Sequence, residues 1–198
     1  MTTHPPGTRG DGWMEGFLAR QRARKADSLL PDELRGGHLV DVGCGSHPLF
    51  LLSARFARKT GLDQLATDGP TGDVALLRFD AEAGMPLPFP DHSLDAVTLL
   101  AVAEHLRPET LARLLADVRR ALAPAGMLVL TTPASWTGPV LAALSAIGAL
   151  SREEIGEHKR LYRRREIVEL LVRAGFARDR VESGSFECGV NLWARARA

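Results

Sequence analysis

The chain has 198 residues, 45% of them hydrophobic and 25% charged, and its 25 Lys and Arg against 24 Asp and Glu leave a formal net charge of +1. This composition is typical of one soluble folded domain, and the balanced charge gives no reason to expect a nucleic-acid partner. Cys44 and Cys188 are too few for a disulfide framework, so a reduced, cytoplasmic setting is expected. The longest apolar run, residues 139–150, is too short to span a bilayer, and no transmembrane segment is predicted.

The first third of the chain predicts a leader, a helix and the start of a sheet. Residues 1–12 are rich in Pro, Gly and Thr, which favours a flexible leader. Residues 13–31 mix apolar and basic positions at helical spacing, and Pro31 ends the predicted helix. The short apolar run at 38–42 predicts a strand buried on both faces. A helix at 48–56 and a strand at 59–63 are predicted to follow.

The rest of the chain continues the alternation of strands and helices. Strands are predicted at 74–80, 94–102 and 127–131, an amphipathic helix begins at Pro108, and a second helix spans 166–174. The tail offers two strand-like stretches, 176–183 and 187–196, which are close enough to pair as a hairpin. The pattern predicts an α/β fold with a mostly parallel sheet of seven strands, helices on both faces and a C-terminal antiparallel hairpin. We expect residues 13–198 to form one domain.

A pair of glycines follows the first predicted strand and indicates a ligand close to the main chain. Gly43 and Gly45 place no side chain between the backbone and a bound molecule. Such a turn could hold the pyrophosphate of a dinucleotide, but Pro48 stands where that fingerprint has its third glycine. The loops after the parallel strands meet at one sheet edge, where ligands of such folds bind.

Two acids are predicted at the same edge. Asp63 ends the second strand about twenty residues after the glycines, the spacing at which a carboxylate binds the hydroxyls of a ribose. A plain ribose suits it, because a 2'-phosphate would be repelled. Asp80 closes the third strand, where it could border an adenine ring or only cap a turn, and the sequence favours neither.

Several segments, taken in order, resemble the motifs of class I S-adenosylmethionine-dependent methyltransferases. They are "LVDVGCG" with "TGLDQ", then "FDAEAGMPLPFPDHSLDAVTLLAVAEHL", "RRALAPAGMLVLTTP" and "LVRAGF". The resemblance covers residues 37–198 and implies a Rossmann-like fold with S-adenosylmethionine as cofactor. It departs from the family at His47, where a third glycine is common. "HPLFLL" and "EIGEHKRLYRRREIVELL" further resemble a narrower group of small methyltransferases, which says nothing about the methyl acceptor.

The resemblance also implies which residues line the cofactor and how the chain is divided. The methionine end would lie along the glycine turn, the ribose against the acid that ends the second strand, and the adenine and floor along the next two strand ends. These implied contacts are Asp41, Gly43, Cys44, Gly45, Asp63, Gln64, Asp80, Ala81, Leu100 and Ala101. Residues 37–131 would be the cofactor-binding core, 132–165 an acceptor or lid insertion, and 166–198 the C-terminal helix and hairpin.

Three side chains are candidates for catalysis. His105 follows the fourth strand and could act as general base, or it could satisfy the backbone of a turn. His158 and Tyr162 follow the fifth strand, where they could face an acceptor or belong to a polar loop. No metal site is predicted.

The leading functional hypothesis is a methyltransferase acting on a small-molecule, lipid-like or carrier-linked acceptor, as a monomer or homodimer. The alternatives are a nicotinamide-dependent oxidoreductase and a catalytically degenerate domain that binds a cofactor or serves as a scaffold. The absence of a Tyr-x-x-x-Lys pair argues against the oxidoreductase, and the intact glycines with Asp63 argue against the degenerate domain.

Overall fold

The computed structural model of the chain describes residues 15–138 and 160–198. The predicted leader at 1–12, His158 and most of the predicted insertion at 132–165 lie outside the described residues. Within the described ranges, no helix is long and apolar enough to cross a membrane.

Four helices and eight strands make up the described part of the fold, with short 3-10 turns between several of them. The helices are α1 (Glu15–Leu29), α2 (Leu49–Ser53), α3 (Pro108–Ala121) and α4 (Arg164–Arg173). The strands are β1 (His38–Val42), β2 (Arg58–Asp63), β3 (Gly69–Thr71), β4 (Val74–Arg78), β5 (Leu94–Leu100), β6 (Leu122–Pro133), β7 (Val181–Phe186) and β8 (Asn191–Arg197).

All eight strands belong to one sheet, in the order β3-β4-β2-β1-β5-β6-β8-β7. The strands β4, β2, β1, β5 and β6 are parallel, whereas β8 runs antiparallel to β6 and β7 antiparallel to β8. This confirms the predicted mostly parallel sheet with a C-terminal antiparallel hairpin. The described sheet has one strand more than the seven predicted, because the stretch between β2 and β4, too short for a helix, folds back so that β3 pairs with β4.

The core lies on both faces of the sheet. In β6, Leu128 and Leu130 pack on the face covered by α3 and α4, while Met127 and Val129 pack on the face covered by α1 and α2. This alternation follows from the two-residue repeat of a strand. All residues of β1 are buried, as predicted for a strand covered on both sides.

Element boundaries differ from the predicted ones where local turns intervene. α2 ends at Ser53 rather than at residue 56, because Ala54 adopts an extended conformation with ψ 140°. β7 begins at Val181 rather than at 176, because Arg178–Arg180 forms a 3-10 turn. At the candidate site, β4 ends at Arg78 rather than at 80 and β5 ends at Leu100 rather than at 102, so Asp80 follows its strand instead of closing it, because it caps the next 3-10 turn.

Candidate functional site

The candidate site lies at the edge of the sheet where the parallel strands end. The turn after β1, the end of β2, and the segments that follow β4, β5 and β6 all lie there. Since β8 is antiparallel to β6 and Asn191 pairs with Pro133, the turn between β7 and β8 lies at this edge too. We call it the carboxyl edge.

The glycine turn after β1 is fixed by hydrogen bonds to its own fold. The N–H groups of Gly43 and Cys44 donate to the carbonyl oxygen of Leu62 over 2.7 and 3.3 Å, and that of Gly45 donates to the carboxylate of Asp63 over 2.9 Å. These three amides are therefore committed within the protein rather than offered to an anion. The turn is better suited to line a ligand by shape than to hold a pyrophosphate.

Glycine is required at position 43 by both conformation and space. Gly43 has φ +79°, and a Cβ there would lie 2.4 Å from Cγ2 of Val102 on the segment after β5. The chain thus brings the turn after β1 and the segment after β5 into direct contact. The side chain of Cys44 is buried and its thiol donates to the carbonyl of Gly45 over 3.3 Å, so Cys44 presents mainly backbone to the edge.

Asp63 is buried at the end of β2, with 2% of its surface exposed. Its Oδ2 accepts from the N–H of Gly45 over 2.9 Å, and its Oδ1 accepts from the N–H of Leu65 over 2.8 Å. The neighbouring Gln64 is exposed. Asp63 therefore joins the end of β2 to the glycine turn at the carboxyl edge.

Asp41 is a buried carboxyl group on β1, on the sheet face covered by α1 and α2. Its Oδ1 accepts a hydrogen bond of 2.6 Å from the hydroxyl of Thr98 on β5. Burial raises the pKa of Asp41 to about 7, the charge of Asp63 adds to the rise, and the Thr98 hydrogen bond opposes it. The pKa of Asp41 thus lies well above that of an ordinary carboxyl group, which favours its protonated form in the folded protein.

The segments after β4 and β5 complete the edge. Asp80 is exposed and caps a 3-10 turn by accepting from the N–H of Glu82 over 2.9 Å, with Ala81 half-buried beside it. Leu100 ends β5 half-buried, and Ala101 takes the left-handed conformation with φ 57° while its N–H donates to the carbonyl of Thr131 over 3.0 Å. Asp80 thus has the turn-capping role that was one of the two alternatives for it in the sequence.

Glu104 and His105 lie at the same edge, in the 3-10 turn Ala103–His105 that leads into α3. Glu104 is 1% exposed, and its Oε2 accepts from the hydroxyl of Thr132 on β6 over 3.0 Å. No sequence pattern indicated either threonine donor, Thr98 or Thr132, because a lone hydroxyl in a strand acquires a partner only when another strand lies beside it.

Tyr162 lies beside the end of β6, where it forms a bridge with Ala134, on the sheet face covered by α3 and α4. It is 1% exposed and packs in the core under α3 and α4, and its carbonyl accepts from the N–H of Ser135 over 3.0 Å. Burial raises the pKa of its hydroxyl, so Tyr162 stays protonated near neutral pH. It borders a groove of about 450 Å³ between α3 and α4 rather than the glycine turn. The raised pKa of its hydroxyl does not favour Tyr162 as a general base.

The described residues contain no group of three or more His, Cys, Asp or Glu side chains that could hold a metal ion.

The family model of a methyltransferase domain matches residues 12–180. The chain belongs to the class I S-adenosylmethionine-dependent methyltransferases. The methyltransferase is therefore an enzyme, and S-adenosylmethionine is its methyl donor. No curated protein sequence matches it.

Solved structures agree with the fold of this methyltransferase. A Haloferax volcanii methyltransferase, solved in complex with the Trm112 methyltransferase activator, has a TM-score of 0.69 at 22% identity, covering 95% of this chain and 94% of that one. A Thermotoga maritima protein described as a possible histamine N-methyltransferase gives 0.66 at 18% identity, with 91% and 89% covered. A methyltransferase from Mesorhizobium loti gives 0.63 at 22% identity, with 95% and 99% covered. At these identities the likeness concerns the fold.

Proposed function

We propose that the methyltransferase holds its cofactor along the carboxyl edge and transfers the methyl group to a small-molecule or lipid-like acceptor. The methionine end would lie along Asp41, Gly43 and Gly45, and the ribose hydroxyls would donate to Asp63. One observation carries this assignment: the carboxylate of Asp63 fixes the glycine turn through the Gly45 amide, so a single buried acid joins the two parts of a nucleoside site.

The residues present fit this cofactor. Gly43 and Gly45 leave no side chain between the main chain and a ligand at this turn. A carboxylate is an acceptor with two oxygens, which suits the two neighbouring hydroxyls of a ribose. Asp80 and Ala81 would border the adenine, and Leu100 with Ala101 would form the floor. The exposed Gln64 and the backbone of Cys44 complete the proposed cofactor contacts.

The cofactor supplies a methyl group that is already activated on a positively charged sulfur. The chain then has to hold a nucleophile in line with that methyl carbon and exclude water. His105, beside the buried Glu104, is our candidate for taking a proton from the acceptor, since a neutral imidazole can accept one near pH 7. His158 remains a second candidate. We propose that residues 132–165 supply most of the acceptor side.

The acceptor class rests on two observations. The net charge of +1 offers no excess of basic residues for a polyanion. Trp136, which follows β6 at the carboxyl edge, is 57% exposed and presents an apolar ring where an acceptor would bind. An apolar or amphipathic small molecule fits this surface better than a nucleic acid.

Isothermal titration calorimetry with S-adenosylhomocysteine and with NAD tests the cofactor assignment. We expect S-adenosylhomocysteine to bind with a stoichiometry of about one and NAD to give no saturable heat. Incubation with methyl-labelled S-adenosylmethionine and a small-molecule extract, followed by mass separation, then identifies the methylated acceptor. Absence of S-adenosylhomocysteine binding, or its full retention in Asp63→Ala, would contradict the proposed site.

A further inference from the structure

The turn between β7 and β8 carries backbone strain at the carboxyl edge. Glu187, Cys188 and Gly189 follow one another in the left-handed region, with φ values of 51°, 55° and 86°. Only the glycine adopts this conformation without cost, so two non-glycine residues in succession are held there by the surrounding structure. Strained backbone of this kind concentrates at ligand-binding sites.

The same turn holds a carboxylate that its own fold satisfies only in part. The Oε2 of Glu187 accepts a hydrogen bond from the side-chain amide of Asn191, which is 7% exposed. The Oε1 of Glu187 is buried and has no hydrogen-bond partner within the described residues. A buried carboxylate oxygen without a donor costs free energy, and a donor brought by a ligand would recover it.

An aromatic ring lies against this turn. A Cβ placed on Gly189 would lie 3.9 Å from Cζ2 of Trp136, whose side chain is 57% exposed. An indole ring together with a carboxylate is the combination that binds organic ammonium groups, through cation–π attraction and charge-assisted hydrogen bonds. The Asn191 amide holds the carboxylate in position.

The position of the turn relates it to the proposed cofactor site. Asn191 lies two residues before Trp193 on β8, so the two side chains lie on the same face of the sheet. Trp193 packs against the cluster that contains Leu39 of β1, and Asp41 lies on that face too. Three strand spacings, from β1 through β5 and β6 to β8, separate the glycine turn from the β7–β8 turn, roughly 14 Å along the edge. A small molecule spans such a distance.

We propose that Glu187, Asn191 and Trp136 form a subsite for the ammonium group of a small, amine-bearing methyl acceptor. This inference rests on the proposed function and gives the acceptor a chemical class. On binding, the Glu187 carboxylate turns its buried Oε1 toward the ammonium, which donates to it while the exposed indole of Trp136 covers the ligand. Asn191 acts as a positioning residue, because its amide donates to Glu187 and not to the ligand.

The test compares phenethylamine with phenethyl alcohol, which has the same ring and chain but no charge. Dissociation constants are measured by ligand-observed NMR titration on the full chain, with and without saturating S-adenosylhomocysteine. We expect the amine to bind at least tenfold more tightly than the alcohol. Glu187→Gln should weaken amine binding at least tenfold and leave alcohol binding unchanged.

Two further variants keep the result interpretable. Glu169→Gln removes an exposed carboxylate on α4 and is the matched control, expected to leave both dissociation constants unchanged. Trp136→Leu alters an exposed ring, so folding is preserved, and should weaken amine binding several-fold. Equal affinity for amine and alcohol, no saturable amine binding, or unchanged amine binding in Glu187→Gln overturns the subsite. The amine titration is also run without S-adenosylhomocysteine, so it tests the amine subsite independently of the cofactor. Loss of S-adenosylhomocysteine binding therefore counts against the proposed function and not against the subsite.

Discussion

The pH dependence of stability provides a sharp test of the two buried titratable groups on β1, His38 and Asp41. The ring Nε2 of His38 lies 2.9 Å from the hydroxyl of Thr60, and burial, with the nearby charge of Arg58, lowers the pKa of His38 from its ordinary 6.5 to about 4. Burial raises the pKa of Asp41 from its ordinary 3.8 to about 7. Both groups are thus held neutral in the folded protein over the same range of pH.

The two groups act on stability in opposite directions. Between pH 4 and 6.5 the unfolded chain protonates His38 while the folded chain does not, so the His38 contribution rises with pH and is lost as pH falls toward 4. Over pH 3.8 to 7 the folded chain keeps a proton on Asp41 that the unfolded chain releases, so the Asp41 contribution falls as pH rises. Each slope approaches about 1.4 kcal/mol per pH unit, and the two nearly cancel in the protein without ligand.

Replacement of one group should reveal the other. From pH 4.5 to 6.5, the free energy of unfolding of Asp41→Asn minus that of the wild type should rise by about 2 to 3 kcal/mol. The corresponding difference for His38→Gln should fall by about 2 kcal/mol. Urea unfolding followed by circular dichroism, without cofactor, measures both differences.

A control separates this effect from a general change of charge. Glu169→Gln, on the exposed side of α4, should give a difference from the wild type that stays flat across the same pH range. If the Asp41→Asn difference is also flat, or falls with pH, the carboxyl group is ionised in the folded protein and our account of its burial is wrong.

Three further predictions concern the contacts at the carboxyl edge. Asp63→Ala should weaken S-adenosylhomocysteine binding by about 1.5 to 3 kcal/mol in calorimetry, because charge-assisted hydrogen bonds are lost; unchanged affinity would remove the ribose assignment. Gly43→Ala should lower the free energy of unfolding by about 2 to 4 kcal/mol, whereas Gly36→Ala, with no atom within 4 Å of the new Cβ, should change it by less than about 1 kcal/mol. Equal urea midpoints for the two alanine variants would contradict the close approach. Thr132→Val should destabilise by about 1 to 2 kcal/mol because Glu104 loses a donor, and Thr132→Ser, which keeps the hydroxyl, should retain most of the stability; equal losses in the two threonine variants would indicate packing instead.

The sequence predicted the sheet well because its strands carry strong local signals. The apolar run of β1 is bounded by glycines, and the boundaries predicted for it are those of the structure. The β3 strand has no such signal, since Gly69–Thr71 is short and half-exposed, and it becomes a strand only by pairing with β4. Its pairing depends on a neighbour that no local pattern identifies.

The candidate site divides in the same way. The sequence by itself determined that Gly43, Gly45 and Asp63 meet at one sheet edge, because parallel strands with right-handed connections place their ends together. Tertiary structure alone decided that the turn amides are committed to Leu62 and Asp63, since those hydrogen bonds join residues from different strands.

The charged groups depend on tertiary structure most of all. A sequence states that residue 41 is an acid, but its pKa follows from complete burial beside Thr98 and Asp63, which come from two other strands. The orphaned oxygen of Glu187 likewise appears only when the β7–β8 turn is placed against its neighbours. Residue type and spacing are properties of the chain, whereas desolvation and unmet hydrogen bonds are properties of the packed molecule.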